Sequence, residues 1–303
     1  VLPGTAASGS SAGGSAQGGH QQQQSQPQQV SRPRNPNAIT REDLYIAVSA
    51  SKRQVYEQEA VLLTYKLYTL FNLQQIAGEM PQLDGFHVDE LPSKQQMEVS
   101  YERVNGRTYR TAVWRQYLVY PQKTGKLTIP ALKFDAQVVT INQSMDPFDI
   151  FFGGGSMQQV SRHEVMTQPI TIDVSALPTP KPASFCGAVG KFTISASLTP
   201  EDLKANDAAT LRLVVSGQGN MKLMKSPTVD FPKDFEVYSP KVDGKTTLAA
   251  GGEKGNMVYD YVVVPRHGGD YEIAPVEFCY FDPASKSYQT LKTDDFKMHV
   301  EKA

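Results

Sequence analysis

The chain has 303 residues, 30 basic and 31 acidic side chains, and a formal net charge of -1. So even a balance gives no long-range field to gather nucleic acid or an anionic bilayer, and neither is expected as a direct partner. Apolar runs such as 60–63 and 262–264 stop far short of the roughly 20 residues that cross a bilayer.

Val1-Leu2-Pro3-Gly4 leads into a polar tract instead of the charged start and apolar stretch of a signal peptide, so the chain reads as an internal fragment of something longer. Residues 1–37 contain no Asp or Glu, carry only Arg32 and Arg34 as full charges, and are rich in Gly, Ser and Gln. That composition cannot bury enough apolar surface to offset the entropy of ordering, which predicts a disordered linker.

From Asp43 the period becomes two. Leu44, Ile46 and Val48 alternate with Tyr45, Ala47 and Ser49, and within 59–69 the side chains of Val61, Leu63, Tyr65 and Leu67 share one face. Strands at 99–104 and 108–120 are joined by Asn105-Gly106, a dipeptide suited to a type I′ hairpin turn. No long stretch carries a helical period, and the fold class is all-β.

An internal repeat follows. Tyr117-Leu118-Val119-Tyr120-Pro121 and then Lys123 to Phe134 match Tyr261-Val262-Val263-Val264-Pro265 and then His267 to Phe278: an aromatic-led strand, a Pro stop, a Gly turn and a second strand. Upstream, 46–69 pairs with 194–216, and Pro81, Leu83 and Phe86 pair with Pro227, Val229 and Phe231. Short strands with regular turn signals suit two tandem immunoglobulin-like β-sandwich domains. The expected division is a disordered segment 1–37, a first sandwich 38–176 with an insertion near 141–159, a linker 177–184, and a second sandwich 185–303. Alternate prolines in Leu177-Pro178-Thr179-Pro180-Lys181-Pro182 predict a semi-rigid spacer holding the two apart.

Reactive motifs are missing. Gly217-Gln218-Gly219-Asn220 lacks the third Gly of a dinucleotide fingerprint and the ending of a P-loop, so it reads as a strand-connecting turn. His163-Glu164 lacks the second His of a helical zinc pair, and Gly-x-Ser-x-Gly does not occur. No enzyme activity, no cofactor and no metal of its own are expected. Cys186 and Cys279, the only cysteines, would form a disulfide in an oxidising compartment, while free buried thiols explain them equally well. The insertion carries the strongest functional signal, since Asp146, Phe148, Asp149, Phe151 and Phe152 precede three glycines. An apolar and acidic loop of this kind either folds back onto its own sandwich or meets a partner.

The run Phe185-Cys186-Gly187-Ala188-Val189-Gly190-Lys191-Phe192, then Ser216 to Asn220, 231–240, Tyr280-Phe281-Asp282-Pro283 and Tyr288 to Thr290, resembles the BatD family of Bacteroides aerotolerance (oxygen-tolerance) proteins. Similarity extends over about residues 40–301 and includes Asp146-Pro147-Phe148. The resemblance implies immunoglobulin-like domains on the periplasmic face of the inner membrane, held by a C-terminal anchor not present in this fragment. It also implies protein partners, among them Bat-type proteins with von Willebrand A domains, and no catalytic residue. Such domains often bind a divalent metal whose coordination a partner's carboxylate completes, a role open to Asp146 or Asp149. The rival reading is a carbohydrate-binding or adhesin-type sandwich. Against it stands Trp114, the only Trp, placed mid-strand where core packing is expected rather than a sugar platform.

Overall fold

A computed structural model of the chain describes residues 39–94, 96–143, 147–152 and 156–303. The segment read as a disordered linker, 1–37, and Asp146 lie outside these residues. The first group of strands is β1 (Leu44–Ala50), β2 (Gln54–Tyr56), β3 (Val61–Thr69), β4 (Asn72–Gly78), β5 (Phe86–Glu90), β6 (Ser100–Val104), β7 (Arg107–Pro121), β8 (Gly125–Ile129) and β9 (Lys133–Gln143). After a five-residue helix α1 (Pro147–Phe151) come β10 (Ser156–Met166) and β11 (Ile170–Ser175). A second group follows: β12 (Phe185–Thr199), β13 (Asp202–Lys204), β14 (Ala209–Gly219), β15 (Phe235–Val237), β16 (Lys241–Ala249), β17 (Gly252–Pro265), β18 (Gly269–Ile273), β19 (Glu277–Asp282), β20 (Ser287–Lys292) and β21 (Phe296–Glu301).

In the first half, the sheet β1-β3-β7-β5, with β6 also on β7, and the sheets β10-β9-β4 and β2-β11-β8 all bury side chains in one core. Alternation decides which side is buried. Val61, Leu63, Tyr65 and Leu67 of β3 point inward while the residues between them stay half-exposed. Asn105 and Gly106, at φ 50° and 79°, turn β6 into β7 with the two positive angles that a type I′ hairpin needs. A bulge shifts the β3–β7 register between Tyr65 and Lys66, leaving Trp114 without a partner on β3. Trp114 packs into the core edge-on to Phe134, with centroids 4.6 Å apart, and beside Tyr65. The only Trp is therefore core.

The repeat is visible in the pairing. β18-β21-β13 matches β8-β11-β2, down to the parallel contact of β13 with β21 and of β2 with β11. Phe86 lies opposite Pro121, and Phe235 lies opposite Pro265. The counterpart of Phe86 is thus Phe235, not Phe231 as the Pro-x-apolar spacing indicated, because the second copy carries a longer turn before its strand.

The halves also differ at their first strand. β12 pairs antiparallel with β14 through 190–199 and parallel with β19 through 185–189, so one strand joins both sheets, whereas β1 pairs only with β3 among the described residues. The crossing point is crowded. A Cβ on Gly190 would sit 2.2 Å from Gln218 O, and one on Gly219 would sit 2.2 Å from Val189 O.

Each half has its own core, and a third cluster lies between them. Leu177, Val189 and Phe281 are buried there, with Tyr56, Phe185 and Tyr288 packed around them. Leu177 N donates to Glu57 Oε1 at 3.1 Å, and Tyr288 Oη donates to Pro178 O at 2.7 Å. The expectation of halves held apart is therefore overturned. Prolines extend the linker backbone, but the apolar Leu177 at its start is buried by closing the two halves around it.

Candidate functional site

The sequence-predicted site residues cluster at the end of one hairpin. β9 and β10 pair without a break from Lys133–Met166 at the base to Gln143–Ser156 at the top. At the base Phe134, Ala136 and Val138 are buried, and β4 covers β9 from Phe134 to Val139. Past that cover no third strand supports the pair among the described residues; Ile141 there is exposed, as is Val160 at the last covered rung, opposite Val139. The hairpin thus has a rooted base and a projecting tip.

The tip is aromatic. Pro147 opens α1, where its missing N–H leaves no unmet bond within the helix. Phe148, Phe151 and Phe152 are 68%, 84% and 69% exposed, so they do not fold back onto their own sandwich. Their rings meet one another instead, Phe152 lying 4.7 Å from Phe148 and 5.5 Å from Phe151 between centroids. Phe152 N donates to Phe148 O at 3.2 Å, which ties the turn. Asp149 belongs to α1. No basic residue occurs between Lys133 and Arg162, so the tip is acidic as well as apolar.

Ion pairs flank the hairpin base: Arg162 with Asp135 at 2.7 Å and Lys133 with Glu164 at 2.9 Å. The Arg162 guanidinium holds the Asp135 carboxyl below the usual range. Both pairs are exposed and act mainly to keep that face solvated.

Catalytic geometry is sparse. Ser161 Oγ lies 3.0 Å from His163 Nε2 on β10, but they are neighbours on a single strand face, and a triad also needs a carboxylate on the far nitrogen and oxyanion donors. No group of three or more His, Cys, Asp or Glu able to hold a metal occurs among the described residues. Cys186 and Cys279 are free thiols brought to neighbouring strands. Burial pushes the Cys186 thiol up to about 11 and raises Cys279 as well, which keeps both unreactive at neutral pH.

Sequence reasoning missed a polar cluster at the junction of the halves. Asn220 is fully buried. Its Oδ1 accepts from Val189 N at 2.7 Å, and its Nδ2 donates to Gly187 O at 2.8 Å. Tyr120, also fully buried, reaches across from β7 to Gly219 O and Glu253 N. The available signal was a polar residue directly after Gly217-Gln218-Gly219 in an otherwise apolar pattern.

The family described as BatD DUF11 like domain matches residues 48–174 and 196–300. No curated protein matches the chain. Among solved structures, "Structure of Yersinia pseudotuberculosis adhesin InvE" matches at 10% identity and a TM-score of 0.22, over 85% of this chain and 59% of that one. At that level the likeness carries no argument about function.

Proposed function

The chain belongs to the BatD family, and from that premise we propose that it is a non-enzymatic scaffold on the periplasmic face of the inner membrane which captures protein partners through the β9–β10 tip. No helix among the described residues is long and apolar enough to cross a membrane. The partners are Bat-type proteins with von Willebrand A domains. The carrying observation is the exposed knob of Phe148, Phe151 and Phe152 on a hairpin whose base is fixed in a core.

Water around exposed aromatic surface disfavours this arrangement unless a partner covers it. Fully burying one such ring is worth about 1.5–3 kcal/mol, roughly ten- to a hundredfold in affinity, and clustered aromatics at the centre of an interface are where binding energy concentrates. Asp146 or Asp149 supplies a carboxylate to the partner's divalent metal. The glycan reading loses its one Trp platform, since Trp114 is core.

The test is binding of the chain to a von Willebrand A domain, with and without Mg²⁺. Replacing all three Phe with Ser is expected to weaken binding at least a hundredfold. The double change of Asp146 and Asp149 to Asn is expected to remove the Mg²⁺ dependence. Unchanged affinity in the Phe variant would sink the proposal.

A further inference from the structure

Away from the tip, the first half has an open side. In the second half β12 belongs to both sheets. In the first half β1 pairs only with β3 and β10 only with β9, so each keeps one edge without a strand among the described residues. Residues 44–48 of β1 and 163–166 of β10 line a cleft of about 720 Å³. Successive side chains leave a strand on opposite faces, so a wall made of consecutive residues is an edge and not a face. The hydrogen-bond phase of β1 is fixed at its two ends. Leu70 N donates to Asp43 O, and Ser51 N donates to Leu62 O, in one unbroken register. Every second residue of an antiparallel strand bonds a given neighbour, so the odd-numbered residues face β3, and the N–H and C=O groups of Leu44, Ile46 and Val48 point away from it, to the open edge.

An open edge invites another strand, and proteins guard such edges with charge or proline. β16 is guarded: it pairs only with β17 among the described residues and carries Lys241, Asp243 and Lys245. β1 has no charged residue and no proline. Charge stands at its ends instead. Arg41 and Arg53 line the cleft, one before β1 and one after it, and neither guanidinium has a hydrogen-bond or ion-pair partner among the described residues. The carboxylate in the lining, Glu164, is taken by Lys133 at 2.9 Å. Ile39 and Met166 add apolar wall, with Met166 59% exposed. We propose that this cleft takes an extended, acidic peptide strand from a partner protein, which adds to β1 through main-chain hydrogen bonds and sets its carboxylates on Arg41 and Arg53. Apolar side chains of the added strand lie against Ile39 and Met166. The cleft sits at the base of the hairpin whose tip carries the phenylalanines, so it is a second contact with its own chemistry.

Fluorescence anisotropy with the whole chain tests this. The probe is a labelled peptide of about eight residues, alternating Val with Thr and carrying Glu at both ends. It is expected to bind, and its counterpart with Lys at both ends to bind about tenfold more weakly. Arg41→Ser combined with Arg53→Ser, two changes at exposed positions, is expected to erase that preference. Methylating alternate peptide amides is expected to weaken binding about tenfold in one register and to be tolerated in the other, because only one edge of the added strand meets β1. Bound peptide is also expected to slow hydrogen exchange of the Ile46 and Val48 amides about tenfold. Absence of binding by the acidic peptide overturns the proposal. So does equal tolerance of both methylation registers, a preference for Glu ends that survives in the double Arg variant, or protection that appears at β16 in place of β1.

Discussion

Removing one oxygen from each of two buried tyrosines should move stability in opposite directions. Tyr120 and Tyr65 are both fully buried. In Tyr120→Phe the lost hydroxyl leaves Gly219 O and Glu253 N unpaired in a dry junction. Each such bond is worth about 0.5–1.5 kcal/mol, and each stranded buried partner adds to the loss, so the expected cost is about 2–3 kcal/mol. Tyr65 Oη has no hydrogen-bond partner among the described residues, while its ring packs against Trp114, Tyr117 and Phe134. In Tyr65→Phe the ring stays, the unmet desolvation of the hydroxyl disappears, and a gain of about 1 kcal/mol is expected. Trp114 fluorescence reports the first half selectively, since it is the only Trp and lies in that core. At about 2 kcal/mol per molar urea, the midpoint should drop by about 1 M in Tyr120→Phe and rise by about half that in Tyr65→Phe. A fall of similar size in both variants would refute the reasoning, because partnership would then not be what sets the sign.

Two further outcomes follow from the same packing. Gly219→Ala should lower the thermal midpoint sharply, by an amount matching about 3 kcal/mol or more, because its Cβ would lie 2.2 Å from Val189 O, a backbone atom with nowhere to go; calorimetry reads this, and Gly106→Ala, whose Cβ meets nothing within 4 Å, should cost only about 1 kcal/mol for its positive φ. Cys186 and Cys279 should resist maleimide at pH 7 in the folded chain, as burial raises both thiols, and label fully in urea, which intact mass spectrometry shows; rapid labelling of the native chain would contradict the burial.

What the sequence disclosed depended on how local the cause was. Alternation in β3 and the Asn105-Gly106 turn are set by neighbouring residues, and both were readable along with the all-β class. The correspondence of β7 with β17 was equally open, because each strand carries its own aromatic start and Pro stop. Phe235 was missed because only pairing with Pro265 identifies it, and pairing is not a local property. Tyr120 reads as one more apolar strand residue until Gly219 and Glu253 arrive from about a hundred residues away. Likewise, the prolines after Leu177 advertise extension, while the burial of Leu177 depends on Phe281 and Val189 in the other half. The exposure of the three Phe side chains was the open alternative in the sequence, since an apolar loop that folds back and one that projects have the same composition.

The second copy serves as a control for the first. β19 and β20 form the same hairpin as β9 and β10, yet they close from Asp282 to Ser287 through a short turn in which Lys286 adopts φ 55°. The sandwich is therefore complete without an extended tip: Phe278 and Tyr280 at that hairpin are buried in the core of their own half, just as Phe134 and Val138 are at the base of the other. Lengthening β9 and β10 beyond the cover of β4 adds no core contact, and it places Ile141 and three phenylalanines in water. Stability alone would favour trimming such an extension to the turn that the second copy already uses. Its presence in one copy only is explained when the surface it exposes is hidden again in a complex, so the asymmetry between two otherwise matching halves is the strongest structural reason to seek the protein's work at the tip rather than on the sheets.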